Sequence, residues 1–226
     1  MKSKSLLILF IADVIIDSAF LYFQKHEWRY ATKPLLIILL SLYSIVEIKK
    51  KSTLFFLLLT SLSFSLAGDV FLILKDISFW FIPGLIGFLI AHVFYITIFL
   101  RIKKQNQPTK KLNLIASLFI AAYTIATFLL LRPFLGNLLA PVLIYTLVIL
   151  TMFLTSVQAF DFREQVFGKL CIIGAAIFII SDSLLAANKF YHPFAGAGIL
   201  VMLTYTLAQL MIVVGITGYL NSVNND

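Results

Sequence analysis

Charge is scarce in this sequence. Only 12% of its 226 residues are Asp, Glu, Lys or Arg, where a soluble domain carries about a quarter. That deficit excludes an ordinary water-solvated surface and leaves no material for a separate soluble domain. There is one cysteine, Cys171, and it lies inside an apolar run. It implies neither a disulfide nor a thiolate metal site and reads as a small buried hydrophobe. The three histidines, His26, His92 and His192, form no His-x-x-x-His pair, and no Cys-x-x-Cys is present. A zinc site is therefore not expected, and no metal or other cofactor is assigned. The chain also lacks a Gly-rich phosphate loop and a nucleophile elbow, so Ser65 or Ser181 has no motif supporting a Ser-His-Asp triad.

What the sequence has in excess is apolar length: 61% of residues are hydrophobic, with a mean hydropathy of +1.02. A membrane helix needs about 20 apolar residues. Runs approaching or exceeding that length fall at 5–23, 33–48, 53–74, 79–100, 112–131, 138–160, 168–187 and 195–219. The expected fold is all-α: a polytopic transmembrane helical bundle of about eight spans, forming one transmembrane domain over 1–226. The first run follows Lys2 and Lys4 and continues to about Phe23 without a small-x-small cleavage site, so it reads as a membrane helix.

The net charge of +8 does not point to nucleic acid, because the cations lie between apolar runs. Headgroup contact and topology selection account for them. Lys and Arg divide twelve against six between alternate sides. Positive charge prefers the cytoplasm, so both termini are expected there, in the inner membrane if the source is bacterial. A four-plus-four parallel duplication is also considered. Pro34-Leu35-Leu36-Ile37 and Pro141-Val142-Leu143-Ile144 open the second and sixth spans, and Gly68-Asp69 and Ser181-Asp182 sit late in the third and seventh.

Ionisable residues at depth carry the functional signal, since each costs a few kcal/mol unless paired or hydrated. They are Asp13 and Asp17 in span one, Asp69 in span three, His92 in span four and Asp182 in span seven. No buried basic residue is expected beside them, so they are expected to be unneutralised. Asp17, Asp69 and Asp182 fall in one layer, roughly 9–11 Å inside the non-cytoplasmic end at about 1.5 Å per residue. Inward facing is the default for such groups. Gly68 and Ser181, being small, permit close helix approach. His92 and Tyr95 share a face at a spacing of three, and Tyr205 and Gln209 at a spacing of four. Interhelical hydrogen bonding is the plain alternative for Tyr95, Tyr205 and Gln209.

Several motifs together resemble the YhhN family of membrane proteins, which includes the lysoplasmalogenases. They are Ser65-Leu66-Ala67-Gly68-Asp69-Val70-Phe71-Leu72, then Gly87-Phe88 followed by His92 and Tyr95. Next comes Phe178-Ile179-Ile180-Ser181-Asp182-Ser183-Leu184-Leu185-Ala186, closing with Asn188-Lys189-Phe190. Lys33-Pro34-Leu35, Pro141-Val142 with Tyr145, and Thr204-Tyr205 with Ala208-Gln209 complete the set. The resemblance runs from about residue 32 to 215; Asp13 and Asp17 inherit nothing from it.

The resemblance implies hydrolysis of the vinyl ether bond of a lysoplasmalogen to a fatty aldehyde and glycerophosphocholine or glycerophosphoethanolamine. Asp69 and Asp182 would be the catalytic carboxyls converging in one cavity, with Lys33, His92, Tyr95, Tyr145, Ser181, Lys189, Tyr205 and Gln209 around the substrate. Lys33 or Lys189 lies near enough to the membrane surface for the lipid phosphate. The partners are then the lysophospholipid and membrane lipid, not nucleic acid. Two other readings stay open: a proton-coupled transporter or lipid flippase using the same acids, and a structural or assembly protein.

Overall fold

A backbone in hydrocarbon has no water to bond, so each apolar run must satisfy its own N–H and C=O groups, and a helix is how a single segment does so. The computed structural model describes residues 3–74, 77–106, 114–161 and 165–223. Eight helices result: α1 (Ser3–Tyr22), α2 (Arg29–Glu47), α3 (Thr53–Ile73), α4 (Ile77–Asn106), α5 (Leu114–Leu131), α6 (Leu139–Ala159), α7 (Val166–Ala186) and α8 (Ala197–Val223). Among the described residues all eight are long and apolar enough to cross a membrane. Lys2, Lys75, Pro108, Lys110, Lys111 and Arg163, which enter the reading of loops and orientation, lie outside the described residues.

Two boundaries differ from expectation for physical reasons. α2 begins at Arg29, so Pro34 lies within the helix rather than opening it. So close to the N-terminus a proline gives up little more than one hydrogen bond, the one to the carbonyl four residues back. α4 continues past residue 100 through Arg101, Lys103 and Lys104 to Asn106, because Lys and Arg favour a helix once it has left the apolar layer.

The helices are inside-out by the standard of a soluble protein. On α1, Ile8, Leu9, Ile11, Ile15 and Ile16 are exposed while Asp13 and Asp17 are buried. Such an array of outward aliphatic groups suits lipid, not water. Hydroxyls within the spans bond to a carbonyl one turn back, as Ser44 does to Leu40 and Thr206 to Met202.

The chain divides into two compact units, Met1–Ile98 with Ile216–Asp226, and Phe99–Gly215, with the boundaries inside α4 and α8. Any eight-helix chain with short loops can divide this way, so the division is no argument for a repeat. In the first unit α2 packs against both α1 and α3. Asn221 Nδ2, near the end of α8, donates to the Glu47 carbonyl at the end of α2 over 3.0 Å. Lys51 Nζ caps that same helix end at Ile45 O and Ile48 O.

The approach of α3 and α4 depends on glycine. A methyl at Gly87 would stand 2.9 Å from Gly68 N and 3.1 Å from Phe64 O, which are backbone atoms and cannot swing aside. Gly87→Ala should therefore cost about 1–3 kcal/mol through overpacking, read as a lower melting temperature in detergent. Its half-exposed neighbour Ile86 changed to Ala should leave that temperature almost unmoved.

In the second unit α6 packs against α7, and α5 against both. Gly174 and Gly215 bring α7 and α8 together; a methyl at Gly215 would meet Cys171 Sγ at 2.6 Å and Phe167 O at 2.8 Å. Cys171 is fully buried, in keeping with the packing role read from its neighbours. After α7 the helix widens to a π-turn over Ala187–Tyr191, which carries Asn188 and Lys189.

Candidate active site

In the first unit Asp69 sits on α3, four residues before the helix ends at Ile73, so roughly 6 Å from that end and shallower than the 9–11 Å expected from the apolar run, because the helix stops at Ile73. Gly68 beside it is the glycine that admits α4, so the motif sets a carboxyl next to a tight helix crossing. Asp69 is 1% exposed, and its Oδ1 lies 3.3 Å from Nζ of Lys33 on α2. Asp17 on α1 is fully buried. Nε of Arg29 lies 3.2 Å from each of its oxygens, Nη2 lies 3.1 Å from Oδ2, and Thr32 Oγ1 donates to Oδ1 at 2.6 Å.

These two ion pairs correct the expectation that the acids are unneutralised. Lys33 and Arg29 begin near the end of α2, where their Cα positions look superficial. Their long side chains lie along the helix surface and reach into the unit. Pairing offsets part of the cost of a buried carboxylate, and removing one partner of such a pair is costly. Asp13 is buried too, and its Oδ2 has no hydrogen-bond partner among the described residues. His92 and Tyr95 of α4 are both fully buried, as their shared face suggests.

In the second unit Asp182 sits on α7, four residues before Ala186, and is partly buried. The Tyr145 hydroxyl of α6 donates to its Oδ2 at 2.6 Å. Ser181 is turned differently, its Oγ donating to Val201 O of α8 at 3.2 Å. Tyr205 and Gln209, one turn apart on α8, are buried and meet at 3.5 Å, and the Tyr205 ring stands edge-on to Phe178. Lys189 lies in the π-turn, with Nζ 5.9 Å from the Phe190 ring centroid. Among the described residues no three His, Cys, Asp or Glu side chains gather as metal ligands.

The structure thus joins Lys33 to Asp69 in one unit, and Tyr145 to Asp182 and Tyr205 to Gln209 in the other. Arg29 and Thr32 were missed from the sequence. Their signal is a spacing: Thr32 and Lys33 follow Arg29 by one turn, which puts three polar side chains on the α2 face toward the acids.

Lipid-suited outer faces on eight spans, with carboxyls held inside, define an integral, multi-pass membrane protein. The chain belongs to the YhhN family, whose model matches residues 28–216. It is 33% identical over 159 residues to lysoplasmalogenase TMEM86A of Homo sapiens, a match covering 67% of this chain and 61% of that protein. It is 30% identical over 182 residues to lysoplasmalogenase TMEM86B of Rattus norvegicus, covering 80% and 68% respectively. For the Mus musculus TMEM86B protein the identity is 31% over 149 residues, covering 66% and 58%. The chain therefore matches less than two thirds of the length of the human and mouse relatives. No solved structure matches it.

Proposed function

We propose that this protein is a lysoplasmalogenase, hydrolysing the vinyl ether bond of choline or ethanolamine lysoplasmalogens, with Asp69 and Asp182 as its two catalytic carboxyls. The observation that carries the reading is chemical. In a chain of this family, each of these two acids is set in a membrane helix against a specific polar partner, Lys33 for one and Tyr145 for the other.

A vinyl ether is cleaved by adding a proton to its β-carbon. The positive charge then spreads over the α-carbon and the ether oxygen as an oxocarbenium ion. Water adds to the α-carbon and loses a proton, giving a hemiacetal. Collapse of the hemiacetal expels the glycerol oxygen, which takes up a proton, and leaves the fatty aldehyde. One water is consumed and no oxidant is needed. The protein must supply a proton donor and a carboxylate that stabilises the cation and accepts the water's proton. Glycosidases meet an oxocarbenium ion with two carboxyls in the same way.

The deciding assay gives the purified protein vinyl-ether, alkyl-ether and acyl lysolipids and follows products by mass spectrometry. Aldehyde released only from the vinyl ether is the expected result; no release from any of the three overturns the reading. Within it, Tyr145→Phe removes the 2.6 Å hydrogen bond that the tyrosine hydroxyl donates to Asp182 and should slow turnover on the order of tenfold, the worth of one hydrogen bond to a carboxylate. Unchanged turnover would separate Tyr145 from the chemistry.

A second reading, a proton-coupled transporter or flippase, is favoured by one feature. The Oδ2 of buried Asp13, without a hydrogen-bond partner among the described residues, has no task in hydrolysis, whereas protonatable groups at depth suit proton carriage. Proton-driven flux in proteoliposomes would support it. For orientation we propose cytoplasmic termini, from the Lys and Arg asymmetry; a reporter fused after Asp226 that is active only outside would refute this.

A further inference from the structure

The turn from α1 to α2 carries the marks of a headgroup-level layer. Tyr22, Phe23, Trp28 and Tyr30 are all exposed there, and Lys25 and His26 stand exposed among them. Exposed aromatic rings mixed with cations are typical of a membrane–water interface. Arg29 lies in this layer but does not point freely outward. Asp17 grips its Nε and Nη2 edge, and Thr32 in turn fixes Asp17. A guanidinium has five N–H donors, and among the described residues no partner is found for Nη1. The side chain keeps 13% of its surface exposed while Asp17 keeps none. The result is an oriented arginine with one donor edge spent on the protein and the other available.

Lys33, the cation already joined to Asp69, follows Arg29 by four residues on α2, roughly 6 Å deeper along the axis. In a lysoplasmalogen five single bonds of about 1.5 Å separate phosphorus from the alkenyl ether oxygen, which is roughly 6 Å along an extended zigzag. The backbone positions of Arg29 and Lys33 thus differ by about one such length, and each side chain carries its charge to a carboxylate of its own, Arg29 to Asp17 and Lys33 to Asp69.

The geometry points to Arg29, positioned by Asp17 and Thr32, as the site that binds the phosphodiester of a single-chain lysophospholipid. This rests on the function proposed above for the substrate's identity, but its test does not need turnover. Lys33 is then left to Asp69, and the alkenyl chain runs deeper into the apolar layer.

The test is equilibrium binding by the full-length protein in detergent of a radiolabelled 1-O-alkyl-glycerophosphoethanolamine, which has no vinyl bond to cleave. The matching 1-O-alkylglycerol and diacyl phosphatidylethanolamine serve as comparison ligands. Wild type should hold the lysolipid about tenfold or more tightly than the alkylglycerol, the worth of one good charge-assisted contact. Arg29→Gln should abolish that preference and leave alkylglycerol binding unchanged, and the diacyl lipid should compete poorly. Arg29→Lys keeps a cation beside Asp17 and should retain part of the preference; it carries the comparison if the Gln variant is not monodisperse. Three results would overturn the inference. One is an equal loss for both ligands, which would make Arg29 only a helix-pairing residue. The others are no phosphate preference in wild type, and displacement by the diacyl lipid as effective as by the lysolipid itself, which would make it a bulk-lipid anchor. Lysolipid binding through Arg29 without aldehyde release would keep this inference and remove the enzymatic reading. Aldehyde release with KM unchanged in Arg29→Gln would do the reverse.

Discussion

Asp69→Asn and Asp182→Asn should each lower lysoplasmalogen turnover on the order of 10²-fold or more, the usual contribution of a positioned proton-transfer group. Asparagine keeps the volume and one carbonyl oxygen but loses the exchangeable proton and the charge, and in Asp69→Asn the Lys33 ammonium also loses its carboxylate partner, so the melting temperature is read beside turnover. If both acids serve one reaction, the double variant should cost little beyond the worse single one, because groups that act together are not additive. The measurement is product formation by variants that remain folded and monodisperse. Near-normal turnover in both would remove these acids from the chemistry and favour a structural role.

Lys33→Met should be strongly destabilising to the first unit. It leaves Asp69, 1% exposed, without its ammonium partner at 3.3 Å. Breaking a buried pair by removing one member costs about 3–5 kcal/mol in soluble proteins. The partial exposure of Lys33 puts the expectation at the lower end of that range. The companion variant is informative: Lys33→Met with Asp69→Asn removes both charges and should recover most of the melting temperature in detergent, while turnover stays lost. A double variant as unstable as Lys33→Met alone would mean that the lysine acts through packing of its stem and not through its charge.

Much of this molecule is legible without coordinates. The number and approximate limits of the helices follow from apolar run length, and α3 illustrates it: the run at 53–74 becomes the helix Thr53–Ile73. Burial of Asp17, Asp69, His92, Tyr95 and Gln209 follows from the cost of polar groups in lipid, which turns them inward wherever an inside exists. The small residue beside Asp69 was readable in the same way, since a glycine within a membrane helix most often marks a close crossing, and Gly68 lies where Gly87 of α4 passes.

The partners of those acids were not legible. Lys33 and Arg29 belong by position to the basic turn before the second span, and sequence order alone assigns them to the headgroups. Whether a lysine stem climbs to water or descends to a carboxylate depends on how α2 is rotated about its axis against α1 and α3. That rotation is set by side-chain packing between helices distant in sequence. Tyr145 shows the same limit. Its motif marked it as a residue of interest, but only the packing of α6 on α7 put its hydroxyl 2.6 Å from Asp182. The sequence by itself determined that eight apolar segments span a bilayer and which polar groups must lie within them, because transfer into lipid is a property of composition and length. The tertiary structure alone decided which cation answers which carboxyl, because a contact of 3 Å depends on helix rotation and side-chain rotamers that no linear pattern specifies.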